Sequence, residues 1–131
     1  MTQTVDNPRG GGLKYDGDKP RTGLLTYGCP LAILGVASVL TYGAKKYEAH
    51  SWKKVENNWE RYWDAKERHE LAIASGEEID PESGLPHIFH VACNAMFLAE
   101  LYAERKKNEP KYSVSLTPAP PRRVEISGLL R

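Results

Sequence analysis

The stretch GEEIDPESGLPHIFHVACNAMFLAELYAERKK, residues 76–107, decides the fold. From about Leu85 to Lys107 it holds one helix breaker, Pro86, at its very start, and this predicts the longest helix of the chain. Val91, Ala95, Leu98 and Tyr102 recur at helical spacing as its apolar stripe, with Ile88 alongside. Directly beside that stripe run His87, His90 and Asn94, at i, i+3 and i+7. A lone histidine next to a core is ordinarily structural. Two histidines and an asparagine on one edge are what helical bundles use to build sites between facing helices. Cys93 is expected to point away from that edge as a core thiol. Ahead of the helix, GEEIDPESG (76–84) is a loop with four acids. Capping of the helix N-terminus by Glu82 or Ser83 accounts for one acid, not four.

Working outward, residues from about Glu56 to Ser75 have strongly helical composition, and Gly76 is the stop. On a helical wheel Glu60, Asp64, Glu67 and Leu71 fall within an arc of roughly 60°, with Arg68 at its edge and Trp59, Tyr62 and Ile73 opposite. A solvated acidic face is the ordinary meaning of such a stripe. Facing a helix with a histidine edge, it becomes a candidate metal wall. Further upstream, Pro30 opens a helix expected to run to about Tyr42, with Ile33, Val36, Ala37 and Leu40 on one face and Gly43 as its end. The stretch 13–29 reads as an ordered loop or arm, and a shorter helix is expected within 45–55. No alternating strand pattern of useful length occurs. The class is all-α: a flexible leader over 1–12, a helical domain over 13–107, and a tail or arm over 108–131.

Composition narrows the function. The 131 residues carry 18 Lys+Arg against 17 Asp+Glu, a formal charge of +1, which argues against a nucleic-acid backbone binder. The mainly apolar run Leu31–Leu40 is too short to span a bilayer, and residues 1–12 lack an apolar signal core, so no membrane and a cytoplasmic location are expected. Cys29 and Cys93 form no CxxC and suggest neither a zinc knuckle nor a disulfide framework. The charge is uneven by position. Acids gather between Glu56 and Glu82, and bases dominate 43–54. Carboxylate oxygens with optional imidazoles suit Mg²⁺ or Mn²⁺. The cations Lys14, Lys19, Arg21, Lys45, Lys46, Lys53 and Lys54 suit the phosphates of a polyphosphate substrate. No GxxxxGK[ST] or GxGxxG loop occurs, and no serine has a triad context.

The segments LKYDGDKPR (13–21), LTYGAKKYEAHSW (40–52), WDAKERH (63–69) and GEEIDPESGLPHIFHVACNAMFL (76–98) resemble the dATP/dGTP diphosphohydrolase N-terminal-domain family, the phage MazZ-type branch of the MazG-like all-α NTP pyrophosphohydrolases. The resemblance covers roughly residues 13–104, and DPESG followed by HxxHxxxN is its most specific part. It implies a MazG-like helical bundle completed by oligomerisation, with a homo-tetramer favoured. It also implies two or three Mg²⁺ or Mn²⁺ ions per site, and hydrolysis of dGTP, with dATP or GTP as further substrates, to the monophosphate and pyrophosphate. In phages that use 2-aminoadenine, such an activity supplies dGMP for that base. Asp64, His69, Glu77, Asp80, Glu82, His87 and His90 match positions typical of this branch. The sequence departs from the MazG pattern of ExxE on one helix and ExxD on the next: His87-Ile88-Phe89-His90 stands where the second pair belongs, so the acidic loop is expected to supply ligands.

The expected site therefore has Asp64, Glu67, Glu77, Asp80 and Glu82 on the metals and Asp64, His87 and His90 in catalysis. Lys19, Arg21, Lys45, Arg68 and Asn94 are expected on a purine deoxynucleoside triphosphate. The reaction is divalent-metal-assisted attack of water at the α-phosphorus, with a carboxylate or a histidine taking the proton. A non-catalytic helical interaction module is the rival: it explains charged helix faces and a basic Pro-containing tail without any metal.

Overall fold

The computed structural model describes residues 11–109, 116 and 118–120. The leader expected over 1–12 and the tail expected over 108–131 lie largely outside the described residues. By its contacts the chain divides into one unit of Met1–Arg21 with Ser115–Arg131, and another of Thr22–Val114. In the first, a turn is closed where Lys19 N–H donates to Asp16 O (3.0 Å). Lys19 and Arg21 belong to that unit.

Among the described residues, the second unit is built of four α-helices: α1 (Thr22–Gly28), α2 (Pro30–Lys46), α3 (Asn58–Ala74) and α4 (His87–Lys107), with a 3-10 turn at Ser51–Lys54. No strand occurs among the described residues, so the all-α class holds. Also among the described residues, no single helix is long and apolar enough to cross a membrane. Helix α1 corrects the expectation of a loop over 13–29. Its seven residues are too few to show periodicity, and two glycines and two threonines disguise it. The axes of α1 and α2 bend by 86° at Cys29, just before Pro30 enters α2 in its first turn.

Helix α2 runs through Gly43, where a stop was expected, to Lys46. Gly43 keeps a helical backbone and its carbonyl accepts the N–H of Tyr47 (2.9 Å). Lys45 and Lys46 fill the last turn, where cations favour the negative end of the helix dipole. The end of α3 follows expectation. Gly76 takes φ 96°, open to glycine at no steric cost, while Glu77 N–H returns to Ala72 O (2.9 Å).

Helices α3 and α4 form the principal pair, and α2 packs across α4. At the α2–α4 crossing Gly35 is buried against Phe89: a Cβ there would come within 2.6 Å of the ring. Trp52 of the 3-10 turn stacks on Phe97 of α4 with centroids 4.0 Å apart, and Tyr62 of α3 donates its hydroxyl proton to Trp52 O (2.6 Å). These aromatics tie three elements together above the site.

The apolar stripe expected on α4 holds the core only in part: Leu98 is buried and Val91 half-buried. Tyr102 is 46% and Ile88 57% exposed, and Ala95 is also exposed, whereas His87, His90 and Asn94 are buried with Cys93 and Leu98. The wheel gave the histidine edge its place beside the core; docking of α3 turned that edge inward. On α3, Glu60, Asp64, Glu67 and Leu71 are exposed; of the opposite face Tyr62 packs on Phe97 of α4 as expected, Trp59 and Ile73 are exposed, and His69 joins Tyr62 there against His87 and His90.

Candidate functional site

Between α2, the 3-10 turn, α3, the 80–82 part of the loop and α4 lies an open cavity of about 1270 Å³, larger than the roughly 300–1,000 Å³ of a usual ligand cleft. Of the residues expected in the site, Asp64, Arg68, Asp80, Glu82, His87, His90 and Asn94 line it. Glu67 is exposed on α3 and Lys45 is exposed on α2; neither lines the cavity, and neither does Glu77. Tyr42, Lys46, Arg61 and His69 also line it; of these Lys46 was noted only among the phosphate-suited cations and His69 only as a position matching the family, and neither entered the expected site. Lys46 follows Lys45 by one position, a helical rotation of about 100°, and that rotation puts it on the wall.

Asp80 is held by its own loop. Its Oδ1 accepts Glu82 N–H (3.3 Å), and its Oδ2 accepts both Ser83 N–H (3.3 Å) and the Ser83 hydroxyl (2.8 Å). Burial pushes this carboxyl up, but the Ser83 hydroxyl and the two backbone N–H groups outweigh it and hold the group below the usual range. The loop backbone closes around it: Asp80 N–H donates to Leu85 O and His87 N–H to Glu78 O (2.9 Å each). Gly84, at φ 73°, donates to Asp80 O (2.8 Å).

Because the single Ser83 hydroxyl proton goes to Asp80, Ser83 Oγ must accept from His90 Nε2–H, 2.7 Å away. His90 Nε2 also lies 3.4 Å from Asp80 Oδ2. Burial lowers the His90 pKa, against the pull of Asp80. Asn94, expected on the substrate, spends one amide proton on His90 O (2.8 Å) and so locks onto its own helix.

The other histidines form a second chain. His87 Nε2 lies 2.7 Å from Glu77 Oε1, and its Nδ1 lies 2.8 Å from His69 Nδ1. His69 in turn stacks face to face on His90, centroids 4.3 Å apart and planes 8° from parallel. Burial lowers the His69 pKa, and the neighbouring His90 adds to this. On the opposite wall Glu82 is bound by Lys46 and by the Tyr42 hydroxyl, and the Lys46 ammonium holds the Glu82 carboxyl below its ordinary value. Cys93 is buried as expected, and burial pushes its thiol up to about 12. It is inert as a nucleophile.

No three His, Cys, Asp or Glu side chains among the described residues form a group that could hold a metal ion. The chemistry of the donors is a separate matter. Asp64, Asp80 and Glu82 bring hard oxygen atoms to one cavity, and Mg²⁺ is usually held by one or two carboxylates together with substrate phosphates, not by an all-protein cage. Hard oxygens of this kind are the donors that an ion arriving with a triphosphate takes.

Residues 9–111 match the family described as dATP/dGTP diphosphohydrolase, N-terminal. The chain is also similar to a dATP/dGTP diphosphohydrolase of Salmonella phage PMBT28, 32% identical over 100 residues, which are 76% of this chain and 33% of the relative. The chain thus spans about one third of the length of that curated relative. No solved structure matches it.

Proposed function

The chain belongs to the dATP/dGTP diphosphohydrolase N-terminal family, and from this we propose that it hydrolyses a purine deoxynucleoside triphosphate, dGTP foremost, to the monophosphate and pyrophosphate. The observation that carries the reading is the shared cavity, where Asp64, Asp80 and Glu82 stand with Lys46, Arg61 and Arg68 around buried histidines. Opposite charges on one wall suit a substrate that is a polyanion accompanied by divalent cations. The family description and the phage relative's name support the substrate class.

Asp64, Asp80 and Glu82 would hold Mg²⁺ or Mn²⁺. The ion, when bound, supplies neutralisation of α- and β-phosphate charge and a lowered pKa for water. Arg68 and Arg61 on α3 and Lys46 on α2 bind and orient the phosphates, and their charge favours departure of pyrophosphate. Lys46 must exchange Glu82 for a phosphate oxygen, a swap that costs little because the pair is exposed. The histidine cluster accepts the proton from the attacking water, which bonds to the α-phosphorus as the α–β bridging oxygen leaves with pyrophosphate. Burial of His90 and His87 keeps those rings fixed while this happens. A homo-oligomer, with a tetramer expected, is part of the same reading. Leu24, Leu25, Tyr27, Leu31 and Leu34 of α1 and α2 are all more than half exposed, which supports it. Supply of dGMP for 2-aminoadenine synthesis in a phage is the pathway this activity would serve.

With dGTP, dATP and GTP offered separately with Mn²⁺ or Mg²⁺, dGMP and pyrophosphate should form in equal amounts from dGTP. Asp64→Asn and Asp80→Asn should abolish turnover while the helical circular-dichroism signal stays intact. Orthophosphate as the first product, or full activity in both variants, refutes the assignment. No hydrolysis of any nucleotide leaves the interaction module as the better reading.

A further inference from the structure

Glu77 was expected to be a metal ligand, yet its carboxylate does not line the cavity. It borders a separate small depression with Ile73, Gly76, Glu78, Pro86 and Ile88, on the far side of His87. Its contact is instead with His87, whose side chain is 5% exposed. We propose that Glu77 is a positioning residue that acts through His87 to fix the tautomer of His69, and that His69 Nε2 is the proton acceptor the chain presents to the cavity. The second half rests on the hydrolytic reading above; the first stands without it.

The chain of protons follows from donor and acceptor counting. An ionised carboxylate only accepts, so across the 2.7 Å contact His87 Nε2 carries the hydrogen. The neutral form of His87 has one N–H, and with that hydrogen on Nε2 its Nδ1 holds a lone pair. The 2.8 Å separation between the two Nδ1 atoms is a hydrogen bond, and its hydrogen must therefore come from His69. This leaves His69 Nε2 as a lone pair. No hydrogen bond to that nitrogen occurs among the described residues, and no fully buried side-chain nitrogen or oxygen there lacks a partner, so Nε2 of this half-buried, cavity-lining residue is not sealed off from solvent. The stack on His90 fixes the plane of the ring, and Ser83 fixes His90. His87 has both ring nitrogens occupied, by Glu77 and His69, and His90 gives its Nε2–H to Ser83; in the Glu77–His87–His69 chain the nitrogen left with a lone pair is His69 Nε2.

Long-range ¹H–¹⁵N correlation spectra of the full chain at pH 8, without metal, read the tautomers directly. The expected pattern is His87 protonated on Nε2, His69 on Nδ1 and His90 on Nε2. Glu77→Ala should release His87 and His69 into mixed tautomers; Glu77→Gln, whose amide oxygen still accepts, should keep the wild-type pattern. With dGTP, Glu77→Ala should lower kcat at least about tenfold, a part of the roughly 10²–10⁴-fold that a general base contributes, while KM stays within about twofold and Glu77→Gln recovers most of kcat. His87 protonated on Nδ1, or His69 on Nε2, in the wild-type spectrum overturns the proposal even if Glu77→Ala fails to fold. Weakened Mn²⁺ binding in Glu77→Gln overturns it in favour of a ligand role. The assigned tautomers in a protein that hydrolyses no nucleotide would remove the hydrolytic reading and leave the Glu77–His87–His69 relay in place.

Discussion

Replacing Ser83 by alanine tests whether the acidic loop is a built part of the site. The hydroxyl gives its proton to Asp80 Oδ2 (2.8 Å) and accepts His90 Nε2–H (2.7 Å) and Leu85 N–H (3.2 Å). A bond to a charged group contributes about 1.5–3 kcal/mol and a neutral one about 0.5–1.5 kcal/mol. Part of this is recoverable. Asp80 keeps two backbone donors at 3.3 Å, and His90 Nε2, already 3.4 Å from Asp80 Oδ2, can close that gap. What remains is the loss of roughly two ordinary bonds, about 1–3 kcal/mol. For a domain of this size, a loss of about 2 kcal/mol lowers Tm by roughly 8–16 °C. Calorimetry on Ser83→Ala and on Ser83→Thr, which keeps the hydroxyl, measures it. Carbon-detected titration should also show the Asp80 carboxyl moving up, since Ser83 provides the largest influence holding it down. A change in Tm under about 2–4 °C, the equivalent of roughly 0.5 kcal/mol, with an unmoved Asp80 carboxyl, would mean that the network does not exist in solution.

Two glycines of α2 should respond to alanine with opposite signs. Gly35→Ala drives a Cβ to 2.6 Å from the Phe89 ring and should lose about 1–3 kcal/mol to overpacking, against about 1 kcal/mol of helix propensity gained; Gly43→Ala, with nothing within 4 Å, should raise Tm. Stability of the metal-free protein should fall on acidification. The folded His69 and His90 have pKa values below the ordinary 6.5, so their contribution is complete above about pH 6.5 and is lost as pH drops through the folded values; a Tm that stays flat or rises from pH 7.5 to 5 contradicts this. Lys46→Met should leave Tm nearly unchanged, as exposed ion pairs contribute little, yet raise KM for the triphosphate and let the Glu82 carboxyl return toward its ordinary value.

The parts of the site that were legible from residues are those set by local rules. The GEEIDPESG loop (76–84) was identified as more than a cap because four acids exceed what one helix end can use, and Asp80 and Glu82 do reach the cavity. Lys46 and Ser83 were harder to see, since their roles depend on which partner another element brings within 3 Å. Glu67 looked stronger than His69 on the wheel of α3, being in phase with Asp64. His69 lies about half a turn away from Glu60, on the side that meets α4.

By itself, the sequence determined four things. It set the all-α class, the place where α3 ends at Gly76 and the place where Pro30 starts α2, because periodicity, proline and left-handed glycine act within a turn or two of chain. It also set the inventory of carboxylates, cations and histidines. Tertiary packing alone decided which faces met: His87, His90 and Asn94 are buried along with Leu98, while Ile88 and Tyr102 stay in solvent, an outcome that the apolar count does not give. A helix fixes the angles between its side chains but not its own rotation against a neighbour. That rotation is settled by the summed contacts of every element around it, here Phe89 against Gly35 and Trp52 against Phe97.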